Sequence, residues 1–163
     1  MADASYSNLI LRMTRTFDAT PDRVFAAWTD PDQFGQWFGP IGMKTVSCDI
    51  DATVGGTWRL MGEGENVPGR QMPGRVRPTV SGKYLEIEPP SRLVFTWAWH
   101  EQDDFASPRG QESIVTIQFS PAGERTEMVF TQAVFKDEQT RAAHNRGWTE
   151  SLDKLGNFLR RAA

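Results

Sequence analysis

The chain has 163 residues, a formal net charge of −3 and a pI near 5.4, which suits one domain with a sizeable core and lacks the clustered basic surface that nucleic-acid binding draws on. No apolar run approaches a membrane span, residues 1–8 lack the basic and hydrophobic regions of a secretory signal, and a lone Cys48 forms no internal disulfide, so a soluble cytoplasmic protein is expected. Two histidines and one cysteine are a thin supply of soft ligands, and neither a metal nor a cofactor is expected; six Trp and ten Phe are more aromatic mass than packing a small sheet requires.

Leu9, Leu11 and Met13 alternate with polar or solvent-side positions, which predicts a first strand over residues 8–17. Thr20-Pro21 and Asp30-Pro31 are each a cap followed by proline at the first helical position. Behind them, Val24, Phe25 and Trp28, then Phe34, Trp37 and Phe38, have helical spacing, so two short helices follow, ended by Gly39-Pro40. The period then becomes twofold. Val46, Cys48 and Ile50 predict one strand, Gly55-Gly56 a turn, and Trp58 with Leu60 the next strand. Residues 62–78, rich in Gly, Pro and Arg, read as a long surface loop. Strands resume at residues 80–88. Past Pro89-Pro90, Leu93, Phe95, Trp97 and Trp99 share one face of a strand, with Val94, Thr96 and Ala98 on the other. Val115, Ile117 and Phe119, then Met128 and Phe130 beyond the turn at Pro121-Ala122-Gly123, give the last two strands.

Residues 137–159 form an amphipathic helix by the spacing of Trp148, Leu152, Leu155 and Leu159, with His144, Gly147, Ser151 and Phe158 beside or within the stripe. Asp137 is the expected N-cap, and Arg160 and Arg161 suit the C-terminal end of the dipole. Such a helix spans roughly 34 Å, and its apolar side needs covering. One strand, two short helices, about six consecutive antiparallel strands and a long helix exclude the parallel α/β folds. The expectation is an α+β helix-grip fold, a curved antiparallel sheet of about six to seven strands wrapped around the C-terminal helix, forming one domain over residues 1–163 with its core at about 8–160.

Several motifs are familiar: Arg15-Thr16-Phe17 with Ala19-Thr20-Pro21, Ala26-Ala27-Trp28-Thr29-Asp30-Pro31, Trp37-Phe38-Gly39-Pro40, Gly55-Gly56-Thr57-Trp58, Glu88-Pro89-Pro90-Ser91-Arg92-Leu93, and residues 144–155. With them the chain resembles the SRPBCC superfamily, START-like and birch-pollen-allergen-like, and within it the family similar to the C-terminal domain of the activator of heat-shock protein 90 ATPase. The resemblance spans nearly the whole chain. It implies a hydrophobic cavity between sheet and C-terminal helix, and it is far more specific for fold than for function, because superfamily members carry lipids, sense hormones or cyclise polyketides.

Ligand pockets are lined mainly by apolar and aromatic groups with a few polar ones, so Trp37, Trp58, Phe95, Trp97, Trp99, Phe130, His144 and Trp148 are the candidate ligand-binding set. An ordinary packed core is the competing reading for every aromatic member. His144, one turn before Trp148, could hydrogen-bond a ligand or be a half-buried histidine satisfied by a neighbour. Gly147 calls for either a cavity or close sheet contact. Arg15 could clamp a carboxylate or pair with an internal acid. The stretch from His100 to Asp104 reads as a solvated acidic loop, with a metal site the lesser alternative, and Cys48 as a small buried hydrophobe. No catalytic constellation stands out. The leading expectation is a small hydrophobic or aromatic ligand in a cavity of about 300 to 1,000 Å³. Behind it stand a protein-interaction module acting on a chaperone ATPase, and a cyclase or hydrolase using the same cavity. A monomer and a homodimer are both compatible with the sequence.

Overall fold

A computed structural model describes residues 9–65 and 75–161. The elements run β1 (Leu11–Phe17), α1 (Pro21–Thr29), α2 (Pro31–Trp37), β2 (Lys44–Ile50), β3 (Thr57–Glu65), β4 (Arg75–Val76), β5 (Thr79–Glu88), β6 (Arg92–Trp99), β7 (Ser113–Ala122), β8 (Arg125–Ala133) and α3 (Glu138–Arg161). The strands pair antiparallel in the order β1-β8-β7-β6-β5-β3-β2, with the two-residue β4 beside β3. The fold is the expected helix-grip arrangement. What the meander alone did not reveal is that the first strand closes on the last, in a register placing Leu11 opposite Gln132 and Phe17 opposite Thr126. No helix among the described residues is long and apolar enough to cross a membrane.

Local chemistry explains the helix ends. Pro21 and Pro31 open α1 and α2, and the Asp30 side chain accepts from the Asp32 amide at the start of α2. At α3 the Asp137 carboxylate caps the Thr140 amide at 2.7 Å, the N-cap expected from sequence. Hydrogen bonding from Thr140, from its side chain first and its backbone amide second, lowers the pKa of this exposed carboxylate.

Three boundaries differ from the sequence reading. The first strand begins at Leu11, and Asn8 lies outside the described residues. The expected loop over 62–78 is strand at both ends, in the last residues of β3 and in β4, because backbone pairing such as Gly64 with Val76 needs no apolar side chains; residues 66–74 lie outside the described residues. In β2 a register shift between Thr45 and Ser47 breaks the alternation, so Val46 faces out at 47% exposure while Cys48 and Ile50 pack against the core.

The core fills the space between the concave sheet and α3. Its hub is Trp28 of α1, whose ring lies 4.8 Å from Trp37, 5.8 Å from Trp148 and 6.3 Å from Phe130. From α3, Trp148, Ser151, Leu152, Leu155, Phe158 and Leu159 are buried against it.

Candidate functional site

Most of the aromatic set is core. Trp37, Trp58, Phe95, Trp97, Phe130 and Trp148 are each at most 4% exposed, and they pack on one another with centroids such as Trp97–Trp148 at 5.1 Å and Phe130–Trp148 at 4.6 Å. Three of the indoles are tied off by hydrogen bonds. Trp37 Nε1 donates to Ala27 O at 2.9 Å, Trp58 Nε1 to Thr96 O at 3.2 Å, and Trp148 Nε1 to the Gln132 side chain at 2.8 Å. The Trp58 bond depends on Gly82, where a Cβ would sit 1.8 Å from Thr96 O and 2.6 Å from Trp58 Nε1.

Gln132 is fully buried, and its amide nitrogen donates to Ser113 Oγ at 2.8 Å. Ser113 Oγ in turn reaches Trp97 O at 3.5 Å. A polar thread therefore runs from α3 through β8 and β7 to β6. Sequence reading missed Gln132 and Ser113. Their signal was present, since Gln132 continues the inward series of Met128 and Phe130.

Trp99 and His144 lie at the edge of that core, both partly buried, with the Trp99 ring edge-on to Trp97 at 5.6 Å. Trp99 Nε1 donates to His144 Nε2 at 3.2 Å, and His144 Nδ1 lies 2.9 Å from Thr140 O. An indole N–H only donates and a carbonyl only accepts, so these partners fix His144 as the neutral tautomer with its proton on Nδ1. Burial lowers the His144 pKa below its ordinary value, partly offset by the Thr140 carbonyl. The Phe135 ring lies 5.0 Å from the imidazole.

Beside this pair is a pocket of about 90 Å³. Trp97 and Trp99 come from β6, Thr140 and His144 from α3, and Val134 and Phe135 from the connector between β8 and α3; Gly110, Gln111 and Ser113 complete the wall. No charged side chain lines it. Among its lining residues, Trp97 has a buried Nε1–H without a protein acceptor. Val134 has φ of 71°, a left-handed conformation that costs a β-branched residue on the order of 1–2 kcal/mol. This pocket is well below the 300 to 1,000 Å³ expected from sequence, because the large rings pack against one another. Of the candidate set it brings together Trp97, Trp99 and His144. Trp37, Trp58, Phe95, Phe130 and Trp148 are not on its wall. Gln111, Val134, Phe135 and Thr140 join them, and their sequence positions, in loops or at an element's end, carried no periodic signal.

The remaining candidates resolve locally. A Cβ on Gly147 would meet nothing within 4 Å, so close sheet contact is not its reason. Arg15 pairs with Asp153 of α3 at 2.7 Å, an acid at the surface, and the pair is half open to solvent. His100 is buried rather than solvated: its Nε2 lies 2.8 Å from Ser81 Oγ and its Nδ1 3.0 Å from Ser107 O, while Arg109 donates to Ser81 Oγ at 3.0 Å. That network fastens the acidic loop to the outer face of β5. No group of three or more metal-binding side chains occurs among the described residues. Cys48 is free and half-buried, and burial with nearby Asp49 raises its pKa to about 12, leaving an unreactive thiol.

Comparison with known proteins places the chain. The family profile described as "Activator of Hsp90 ATPase homolog 1-like protein" matches residues 18–160. The crystal structure of the AHSA1 protein from Silicibacter pomeroyi is 30% identical, covers 94% of this chain and 99% of its own, and superposes with a TM-score of 0.79. A protein from Chromobacterium violaceum, 24% identical over 91% of this chain and 95% of its own, has a TM-score of 0.72. A solution structure from Arthrobacter aurescens, 21% identical over 99% of this chain and 89% of its own, has a TM-score of 0.77. Comparison with curated proteins gives no match. With a family profile spanning most of its length and a sheet wrapped on α3, this chain belongs to the Activator of Hsp90 ATPase homolog 1-like family of the SRPBCC superfamily.

Proposed function

We propose that the chain is a cytoplasmic binding protein that holds a small hydrophobic molecule between β6 and the first half of α3. The observation that carries this reading is the uncharged pocket bounded by Trp97, Trp99, Phe135 and His144, set where the buried stripe of α3 gives way to half-exposed residues. Apolar burial at about 25 cal/mol per Å² supplies the affinity. We assign no acid–base role to His144, since both of its ring nitrogens are already engaged. Of the wider candidate set, Trp58 and Trp148 support the pocket from behind by packing on Trp97, at 5.3 and 5.1 Å, while Trp37, Phe95 and Phe130 belong to the core behind them.

The test is native mass spectrometry of the freshly purified protein, followed by displacement of an environment-sensitive dye. A retained small molecule, or saturable displacement that His144→Ala weakens without loss of fold, is the expected result. Dye binding unaffected by substitutions at Trp99, Phe135 and His144 overturns the assignment.

The family's description supports a second reading, a module that docks on a heat-shock protein ATPase. Stimulation of a purified chaperone's ATP hydrolysis by this chain, retained when the pocket is blocked by substitution, would favour that reading over the first. A reaction in the same pocket, of cyclase or hydrolase type, is the third and predicts turnover rather than retention of the bound molecule.

A further inference from the structure

The hydrogen bond that joins β6 to α3 at the pocket depends on a single proton. Trp99 Nε1–H donates to His144 Nε2 at 3.2 Å, and His144 Nδ1 lies 2.9 Å from Thr140 O. Trp99 and His144 both line the pocket, so this bond fixes one side of its wall. It exists only while the imidazole is neutral, because a protonated ring donates from both nitrogens. Nδ1–H then keeps Thr140 O, and Nε2–H is turned on the Trp99 N–H, donor against donor. An indole nitrogen does not accept, so no change of tautomer restores the contact.

No charged neighbour is placed to stabilise the imidazolium. None of the pocket-lining residues from β6, from the connector between β8 and α3 or from the segment leading into β7 carries a charge. The charged groups flanking this wall in the chain are committed elsewhere: Arg109 to Glu112 at 2.7 Å, Arg141 to Glu138, and Asp137 to the Thr140 amide, while Lys136 and Arg146 are exposed. Hydrogen bonds from Thr140 and Arg141 hold the Asp137 and Glu138 carboxyls below their ordinary values, so neither titrates between neutral pH and about pH 5. His100, the chain's other histidine, is engaged with Ser81 and Ser107 and does not line the pocket.

We propose that the Trp99–His144 hydrogen bond is a proton-operated latch on the pocket: the neutral imidazole holds Trp99 against α3 and keeps an apolar occupant enclosed, and protonation at Nε2 releases Trp99, brings a hydrated cation into the wall and lets the occupant go. The proposal rests on the binding function stated above and adds its regulation by pH. His144 is a positioning residue for Trp99 and takes part in no reaction. Burial holds its pKa below the ordinary histidine value, so the latch is closed at neutral pH and opens as pH falls through the folded-state pKa.

The test follows the full chain by nuclear magnetic resonance from about pH 7.5 down to the onset of acid unfolding. It reads the His144 ring protons and the six indole N–H signals, one for each Trp of the chain. His144→Gln identifies the first and Trp99→Phe the Trp99 indole. The Trp99 signal is expected to shift with the same midpoint as His144, while those of Trp28, Trp37 and Trp58, which are not on the pocket wall, stay in place. Two neutral probes that do not titrate in this range, cyclopentanone and Nile red, report binding. With only the neutral form competent, the affinity of whichever probe saturates should fall about ten-fold at one pH unit below that midpoint. The fall should vanish in His144→Gln and persist in His100→Gln. A Trp99 signal indifferent to His144 protonation, a His144 that stays neutral until the chain unfolds, or a pH response that survives in His144→Gln refutes the latch. So does probe binding of equal strength on both sides of the midpoint, which leaves the binding function standing. Binding of neither probe at any pH overturns that function and the latch with it.

Discussion

The two halves of α3 are packed by different rules. From Ser151 onward the helix buries Leu152, Leu155, Phe158 and Leu159 on one continuous stripe. Before Trp148 it buries no side chain fully, its Gly147 position faces open space, and His144 is held by single hydrogen bonds at the edge of a pocket. The second half therefore stabilises the fold, and the first half is where the helix can yield without unfolding the domain. Sites that admit ligands come from regions of low local stability, since a fully packed interface has no room to adapt. Trp148 is the boundary, packed on Trp28 and Phe130 on one side and on Trp97, a pocket residue, on the other.

Substitutions along the helix can break this division. The largest effect is expected at the boundary: Trp148→Ala should cost about 3–5 kcal/mol in denaturant unfolding, since it empties a site ringed by aromatics and leaves the Gln132 side-chain oxygen without its indole donor. Leu155→Ala should cost about 2–5 kcal/mol yet leave probe binding unchanged. A Leu155 variant that loses binding in proportion to stability would dissolve the distinction between the halves.

The next effect is one of pH. Burial depresses the folded pKa of His144 below its unfolded value near 6.5, so between those two values the unfolded chain binds more protons and stability rises with pH. As pH falls below about 6.5 the fold loses stability, until the folded pKa is passed. Protonation at Nε2 also removes the acceptor for Trp99. Unfolding free energies measured in denaturant from pH 7.5 to 5.0 should fall further for the unaltered chain than for His144→Gln, by no more than about 1.4 kcal/mol per pH unit. Parallel curves would show that this imidazole is not the linked group.

Two smaller effects sharpen the picture in the opposite direction. Gly147→Ala should stabilise by about 1 kcal/mol, because alanine gains helix propensity and its methyl meets nothing within 4 Å; a destabilised variant would mean that the helix centre is more crowded than it appears. Val134→Gly should stabilise by about 0.5 kcal/mol, the left-handed strain at φ of 71° being relieved and mostly offset by the added freedom of the unfolded chain. A clear loss of stability there would show that the valine's packing outweighs its backbone strain.

Much of this molecule was legible without coordinates. The twofold alternation of Leu93, Phe95, Trp97 and Trp99, the threefold and fourfold spacing from Trp148 to Leu159, and the cap-proline pairs at Thr20-Pro21 and Asp30-Pro31 act over a few residues, so the chain's order of strands and helices followed from local pattern. The division of the aromatics did not. Trp97 and Trp58 occupy equivalent inward strand positions, but one indole reaches Thr96 O over Gly82 and the other reaches no protein acceptor. Nor did alternation warn of the shift that turns Val46 outward, since a bulge is a property of the paired strands.

The sequence by itself determined the elements, their order and the helix face to be buried, because periodicity and capping are local. Only the tertiary structure decided that most of the rings fill the interior, leaving a pocket of about 90 Å³ beside His144. Whether an aromatic closes a core or lines a cavity depends on what stands opposite it across the fold, and those partners are brought together only when the sheet curls onto α3.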